Sequence, residues 1–325
     1  SQKVSRSAHD EMLFIVVHQT YELWFKQVLH ELNSIMAQFA LPTLADEALG
    51  VCVSRLDRIV RIQKLMIEQI NVLESMTPMD FLDFRDMLRP ASGFQSWQFK
   101  ELEAKLGLKF EQRHGKEYYT AQLRKEHVAV IKEAEGSMSL LDLLNVWLER
   151  MPFFNEEENW ENFSVHNKVD GIHSFWSEYR YQYANSLAEA EKNNLQFFDE
   201  IFLHQQPTTS SRQQSLSSAS SRSALFIMLY RGYPMLQLPF QLLNALLEID
   251  EQLSSWRYRH MNMVHRMIGT RIGTGGSTGK DYLKAAADKH YIFKEIAQLN
   301  SFLIERRKLP ALPYDMEKRL GFVHL

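Results

Sequence analysis

The sequence predicts an all-α fold, and three observations carry that prediction. Apolar residues recur at alternating spacings of three and four through every strongly patterned stretch, which is how a helix with one inward face reads. Strand-like alternation is absent throughout. Helix punctuation falls at the ends of the patterned stretches, at Thr77-Pro78, Gly107, Pro152 and Gly269.

The first element runs from His9 to Phe39, where Phe14, His18, Tyr21, Phe25, Val28, Leu32, Ile35 and Phe39 share one face. Its first half is apolar nearly all round and is expected to be buried. Residues 51 to 76 form a second amphipathic helix, with Leu56, Ile59, Met66, Ile70 and Leu73 inward and Arg55, Arg58, Arg61 and Lys64 on a solvated face. A third helix starts at Thr77-Pro78-Met79-Asp80: Thr77 caps, Pro78 suits the first turn, and Asp80 stands where a capping-box acid belongs. It is expected to reach Arg89 and stop before Pro90. Patterning resumes near Gln95 and ends at Gly107, and a further helix covers Leu140 to Arg150, closed by Pro152. Residues 153 to 206 are rich in aromatics and predict one or two helices with irregular joints. Eight serines between Ser210 and Ser223 make residues 208–223 a polar loop or linker, because such a composition buries little apolar area. The last helix follows Pro239 and ends at Gly269, with Leu242, Leu246, Ile249, Leu253, Trp256, His260, Met263 and Met267 inward. No internal repeat occurs, and residues 1–325 are expected to form a single domain.

A chain of 325 residues, 45% of them apolar, can bury a sizeable core. A net charge of -3 with basic residues spread along the chain leaves no footprint for nucleic acid or an anionic membrane, so the expected partner is a small molecule. The single cysteine, Cys52, excludes an internal disulfide, and the first residues lead into a charged segment, so a reducing cytoplasm is the expected compartment. The apolar runs Leu13–Val17 and Ala224–Tyr230 fall far short of the roughly 20 residues that a membrane-spanning helix needs.

His18 and His260 each interrupt an apolar stripe. A buried imidazole needs a partner, which a backbone carbonyl, a side chain, a metal or a ligand can supply, so a satisfied core histidine and a site histidine both stand open. Their place on the two most apolar helices points to a shared pocket. His265 lies five helical steps beyond His260, about 140° round the axis, and is expected to point elsewhere. That spacing is also not the i,i+4 of a zinc pair. Arg85 has Phe81, Leu82, Leu88 and Arg89 as helical neighbours and no acid among them. A guanidinium there needs an anion, either a ligand's carboxylate, which its planar fork matches, or that of a distant Asp or Glu. The run Gly273–Lys280 is no phosphate loop, since Thr274 and Asp281 break the pattern and it follows a helix. It is a glycine-rich loop with several donors, able to close over a ligand or simply to turn the chain.

The segment Phe14-Ile15-Val16-Val17-His18-Gln19-Thr20-Tyr21-Glu22-Leu23-Trp24-Phe25-Lys26-Gln27 closely resembles the first signature block of the tryptophan 2,3-dioxygenase family. Three further blocks agree and stand in the family's order: Asp83-Phe84-Arg85 with Pro90-Ala91-Ser92-Gly93-Phe94-Gln95, Trp256-Arg257-Tyr258-Arg259-His260 with Met263-Val264-His265-Arg266-Met267, and Gly273-Thr274-Gly275-Gly276-Ser277. Residues 108 to 235 are only weakly similar.

The resemblance implies an all-helical homotetramer with one haem b per subunit, active as Fe(II). It would open the indole C2–C3 bond of L-tryptophan with O2 to give N-formylkynurenine, the first step of the kynurenine pathway. His260 is implied as the iron ligand, with Trp256, Ser92, Gly93, Phe99 and Tyr282 around the haem. His18 is implied on the opposite iron face, hydrogen-bonded to the indole N–H and orienting it. Arg85 would hold the substrate carboxylate and Thr274 its ammonium and carboxylate, while Phe14, Ile15, Val16, Val17, Phe81 and Leu88 would line the substrate. Val17 and Thr20 depart from the Thr and Ala of animal members, Trp97 replaces a smaller apolar residue, and Lys100 stands where Arg is common near the haem propionates. The alternatives are a related haem oxygenase acting on a modified indole or another aromatic amino acid, a haem-binding sensor or carrier, and a helical interaction protein without cofactor.

Overall fold

A computed structural model of the chain describes residues 8–88, 91, 93–113, 120, 123–154, 157–161, 163–164, 172–203, 215–269 and 290–322. Its helices, in chain order, are Glu11–Phe39 (α1), Asp46–Leu73 (α2), Pro78–Phe84 (α3), Trp97–Leu106 (α4), Lys125–Gly136 (α5) and Leu140–Glu149 (α6). They continue with Ser174–Ser186 (α7), Asn194–Phe198 (α8), Ser218–Leu229 (α9), Pro234–Ile268 (α10), Lys294–Gln298 (α11) and Tyr314–Leu320 (α12). Short 3-10 turns join several of them, and no strand occurs among the described residues. The all-α expectation holds. No described helix is long and apolar enough to cross a membrane.

Contacts group the chain into two compact units. One comprises Ser1–Pro42, Ser54–Leu140 and Glu248–Ile292, and the other Thr43–Val53, Leu141–Leu247 and Phe293–Leu325. The first holds every candidate site residue that the structure describes. In it the inward face of α2 is buried as its spacing predicts, from Leu56 to Leu73. The basic row faces outward but is not merely solvated: Arg58 reaches the buried Glu31 at 2.7 Å, Arg61 pairs with Asp57 at 2.8 Å and Lys64 with Glu248 at 2.5 Å. The second unit is built round aromatic rings, among them Trp160, Phe175, Trp176, Tyr179, Phe198, Phe202 and Phe226, all fully buried.

Four expectations need correction. The first half of α1 is not buried all round, because only the stripe of Leu13, Phe14, Val17 and Tyr21 packs inward, while Met12, Ile15 and Val16 are 67%, 41% and 52% exposed. A helix packed on one side buries one stripe, whatever its composition elsewhere. The third helix does not run to Arg89; it ends at Phe84 and tightens into a 3-10 turn over Arg85–Leu88. The Ser-rich stretch is not a linker at its C-terminal end, since α9 begins at Ser218 and Ser220, Ser221 and Ser223 are buried. Hydrogen bonds replace the missing apolar area there: Ser217 Oγ caps the helix by accepting from the Ser220 N–H, Ser220 Oγ donates to the Asn145 carbonyl at 2.8 Å, and the N–H groups of Ser215 and Leu216 donate to the Glu295 carboxylate. Residues 208–214 lie outside the described residues. Finally, Pro239 does not precede α10 but sits inside it, five residues after the start at Pro234, where it forfeits one backbone bond near the helix end.

Candidate active site

The site grows from one apolar cluster of the first unit, in which Val17, Ile70, Leu73, Met76, Phe84, Met263 and Met267 are buried and Phe14, Tyr21, Phe81, Leu88 and Trp256 pack against them. α3 is aimed into it by the predicted capping box. The Asp80 N–H donates to Thr77 Oγ1 at 3.3 Å and the Thr77 N–H to the Asp80 carboxylate at 3.0 Å, which fixes the first turn. Phe81 and Phe84 then meet Phe14 of α1, with ring centroids 5.7 and 5.6 Å away and the two 5.4 Å from each other. Arg85 follows Phe84 directly. It is half-buried at the start of the 3-10 turn and engages a neighbour, so the missing helical acid does not leave it free.

His18 stands one helical turn after Phe14, their rings 3.9 Å apart, and its Nδ1 lies 2.8 Å from the Phe14 carbonyl. A carbonyl only accepts, so Nδ1 carries the proton and Nε2 keeps its lone pair. Burial lowers the pKa of His18, so the ring is neutral at pH 7. On α10, His260 stacks on Trp256 one turn earlier, with centroids 5.2 Å apart and planes within 1°. Trp256 is held in turn by Phe99 at 5.0 Å, Tyr21 at 6.1 Å and Phe25 at 6.2 Å. The Tyr21 hydroxyl donates to the Met66 carbonyl, tying α1 to α2 beside these rings. Part of the His260 ring surface is accessible, yet its Nδ1 is buried without a hydrogen-bond partner. Dense surroundings, and secondarily the nearness of His18, push its pKa down to about 4, so this imidazole too is neutral and its nitrogen lone pair available.

These facts place most of the expected residues. Phe14, Val17, Phe81, Leu88 and Trp256 come together in the cluster, and His18 is near enough to His260 to contribute to its lowered pKa. Phe99 reaches the site through Trp256. His265 is exposed, as its angular offset predicts. Ile15 and Val16 face solvent and are not brought to the cluster. Gly93 is exposed, with nothing near the place a Cβ would take. Ser92, Thr274 and Tyr282 lie outside the described residues, as does the run Gly273–Lys280.

The donor set says what the site can hold. Among the described residues no three His, Cys, Asp or Glu side chains gather as metal ligands, so a bare ion has no cage. A neutral histidine walled by aromatic rings would suit a haem iron, since the porphyrin supplies the other donors that a bare ion would ask of the protein.

Comparison with known proteins agrees. The tryptophan 2,3-dioxygenase family model matches residues 1–303. The chain belongs to the tryptophan 2,3-dioxygenase family. Relatives named tryptophan 2,3-dioxygenase include one from Bdellovibrio bacteriovorus, 42% identical over 99% of this chain and 93% of its own length. Others come from Alteromonas mediterranea, at 43% over 99% of this chain and 92% of the relative, and Dictyostelium discoideum, at 40% over 99% and 84%. The tryptophan 2,3-dioxygenase match runs through residues 108 to 235, where the signature blocks are silent.

Beside Trp256 lies a buried ion cluster of which the signature blocks include only Arg257. Glu103 of α4 is buried and takes Arg113 Nη1 at 2.6 Å on one oxygen and Arg257 Nη2 at 2.7 Å on the other, with His290 Nδ1 at 3.7 Å. Burial opposes ionisation of this carboxyl, but the two guanidiniums and His290 outweigh it and hold the pKa far below the usual carboxylate range. Lys100, one turn earlier, is also buried, and desolvation pulls its pKa down to about 8. The signal was present in the sequence, because Glu103 stands four residues after Phe99 and three before Leu106, on the inward stripe of α4.

Proposed function

We propose that this chain opens the indole ring of L-tryptophan with O2 and releases N-formylkynurenine, at a haem b carried one per subunit, held by His260 and active as Fe(II). The observation that carries this reading is the pair of neutral imidazoles: His260 with an available nitrogen on one helix, and near it His18 with its proton fixed on Nδ1. The haem supplies O2 binding and activation when bound. The protein contributes a ligand and placement. Among the expected haem neighbours that the structure describes, His260 alone has ligand chemistry, and its stacking on Trp256 fixes the ring plane.

His18 Nε2, with a lone pair and no proton, suits the indole N–H as an acceptor and orients the ring. Phe14, Phe81, Val17 and Leu88 form the apolar wall against which an indole packs, excluding water from its reacting edge. Arg85 at the edge of that wall offers a planar fork for the substrate carboxylate, and Thr274 would hold the amino-acid end from the glycine-rich loop. Placement of this kind can contribute roughly 7–11 kcal/mol to catalysis. A homotetramer in the cytoplasm is the assembly and compartment this reading expects.

The test is direct. Haem-loaded protein is reduced without air, given L-tryptophan and then O2, and the solution is followed for N-formylkynurenine. Stoichiometric formation over many turnovers is expected. Failure with haem bound and reduced, or turnover only of a modified indole, would overturn the assignment.

A further inference from the structure

The ion cluster of Glu103 does more than neutralise buried charge. Arg257 follows Trp256 directly and precedes His260 by three residues, so its grip acts on the turn of α10 that presents both rings. The guanidinium is stretched between two anchors: Nη2 donates to Glu103 and Nη1 donates to the His290 carbonyl at 3.0 Å. Two turns earlier on α10, the Asp250 carboxylate accepts from the Ile292 N–H at 2.9 Å. Residues 290–292 are thus strapped along α10 at two levels, and α4 holds it at two adjacent points, Phe99 on Trp256 and Glu103 on Arg257. Arg113, fixed to the other oxygen of Glu103, also donates to the Lys100 carbonyl of α4, which locks the carboxylate in place.

We propose that Glu103 is a positioning residue for the face of α10 that carries Trp256 and His260, acting through Arg257. This rests on the reading of His260 as the haem ligand. The rotation of α10 about its own axis decides where the His260 nitrogen points, and a side-chain stack alone resists sliding poorly. A charged, two-pronged bond fixed at both ends sets direction as well as distance. Second-sphere groups of this sort orient a metal ligand without touching the metal.

The experiment compares Glu103→Gln with Glu31→Gln. Glu31 is an equally buried carboxylate of the same unit, paired with Arg58 at 2.7 Å, but on the Phe25–Phe39 half of α1 with no bond to α10. Both variants lose the charge of a buried, ion-paired carboxylate, so both lose stability. Only Glu103→Gln should shift or broaden the iron–histidine stretching band of the ferrous holoprotein, and only it should speed haem loss to a haem acceptor, by roughly tenfold to a hundredfold. Equal changes in the two variants, or a Glu103→Gln protein altered in thermal stability alone, would overturn the proposal. If Glu103→Gln does not fold, Arg257→Lys keeps the charge and loses the fork, and the same readouts apply. A second arm needs no haem: the 19F resonance of Trp256 in 5-fluorotryptophan-labelled apoprotein, assigned with Trp256→Phe, should move in Glu103→Gln and stay in Glu31→Gln. A wild-type holoprotein without an iron–histidine band would sink the haem reading itself, and the 19F arm then still decides whether Glu103 positions Trp256.

Discussion

At His260 two histidines five residues apart are told apart by angle alone. His260 lies among aromatic rings with an unpartnered buried nitrogen, whereas His265 faces solvent at the end of the same helix. His260→Ala should therefore abolish stable haem binding and His265→Ala should leave it near one haem per chain, as read from haem content after purification. The reverse pattern would refute the ligand assignment. Arg85 makes a sharper case, because its role is geometric. Arg85→Lys keeps the charge and removes the fork, so L-tryptophan should bind more weakly by about 1–2 kcal/mol with haem content unchanged. Tryptamine has the indole and the amine but no carboxylate, so its weaker binding should barely change. Spectral titration of the ferrous protein with both ligands measures the difference, and equal weakening would mean that Arg85 supports the pocket in general. Arg85 could be picked out of the sequence by its missing helical acid, and His260 by its place on a stripe. Glu103 could have been picked out by the same rule, but its partners are 10, 154 and 187 positions away, and no local spacing reveals such a meeting.

Helix ends were the most legible elements where a side chain does the terminating. The Thr77–Asp80 box forms as read, because its two hydrogen bonds are local and need no tertiary partner. Gly107 likewise closes α4 with a φ of 134°, a backbone conformation that suits glycine. The Ser-rich stretch was illegible for the opposite reason: α9 is held by Asn145 and Glu295, residues far away in sequence, so composition alone pointed to a loop. The exposed side of α1 was missed because periodicity gives the inward stripe and says little of what covers the rest. The box at Thr77 carries a consequence for binding, since α3 is only seven residues long and presents Phe81 and Phe84 and leads into Arg85. Thr77→Ala should cost about 1 kcal/mol of stability and should also weaken L-tryptophan binding severalfold, with urea melts and spectral titration as the two measurements. A stability loss with unchanged binding would show that the packing of Phe14 alone places α3.

Across the molecule, the acid sensitivity of the fold should trace to Glu103. Its native pKa lies far below the ordinary carboxylate value, so the unfolded chain takes up the proton first as pH falls. The contribution is therefore complete above the ordinary carboxylate range and is lost as pH drops through that range toward the depressed native value. Glu103→Gln should be less stable by about 3–5 kcal/mol near neutrality, and its stability should fall less steeply than wild type on acidification. Urea melts at about pH 7 and about pH 4 would show the gap narrowing. A constant gap would assign the acid sensitivity elsewhere.

The first unit is also threaded from three separated stretches, and this sets a schedule for its making. A ribosome delivers Phe14, Val17 and Phe84 early, but Trp256, His260 and Met263 only after the stretch from Leu141 to Leu247 has been translated. At roughly 5–20 residues per second that interval lasts on the order of ten seconds. Throughout it, the apolar wall stands without the helix that completes it, a sticky surface on a nascent chain. Haem capture must then be among the last events of synthesis, so a cell short of haem would accumulate finished apoprotein and not stalled fragments, and chaperone demand would peak while the middle of the chain is emerging.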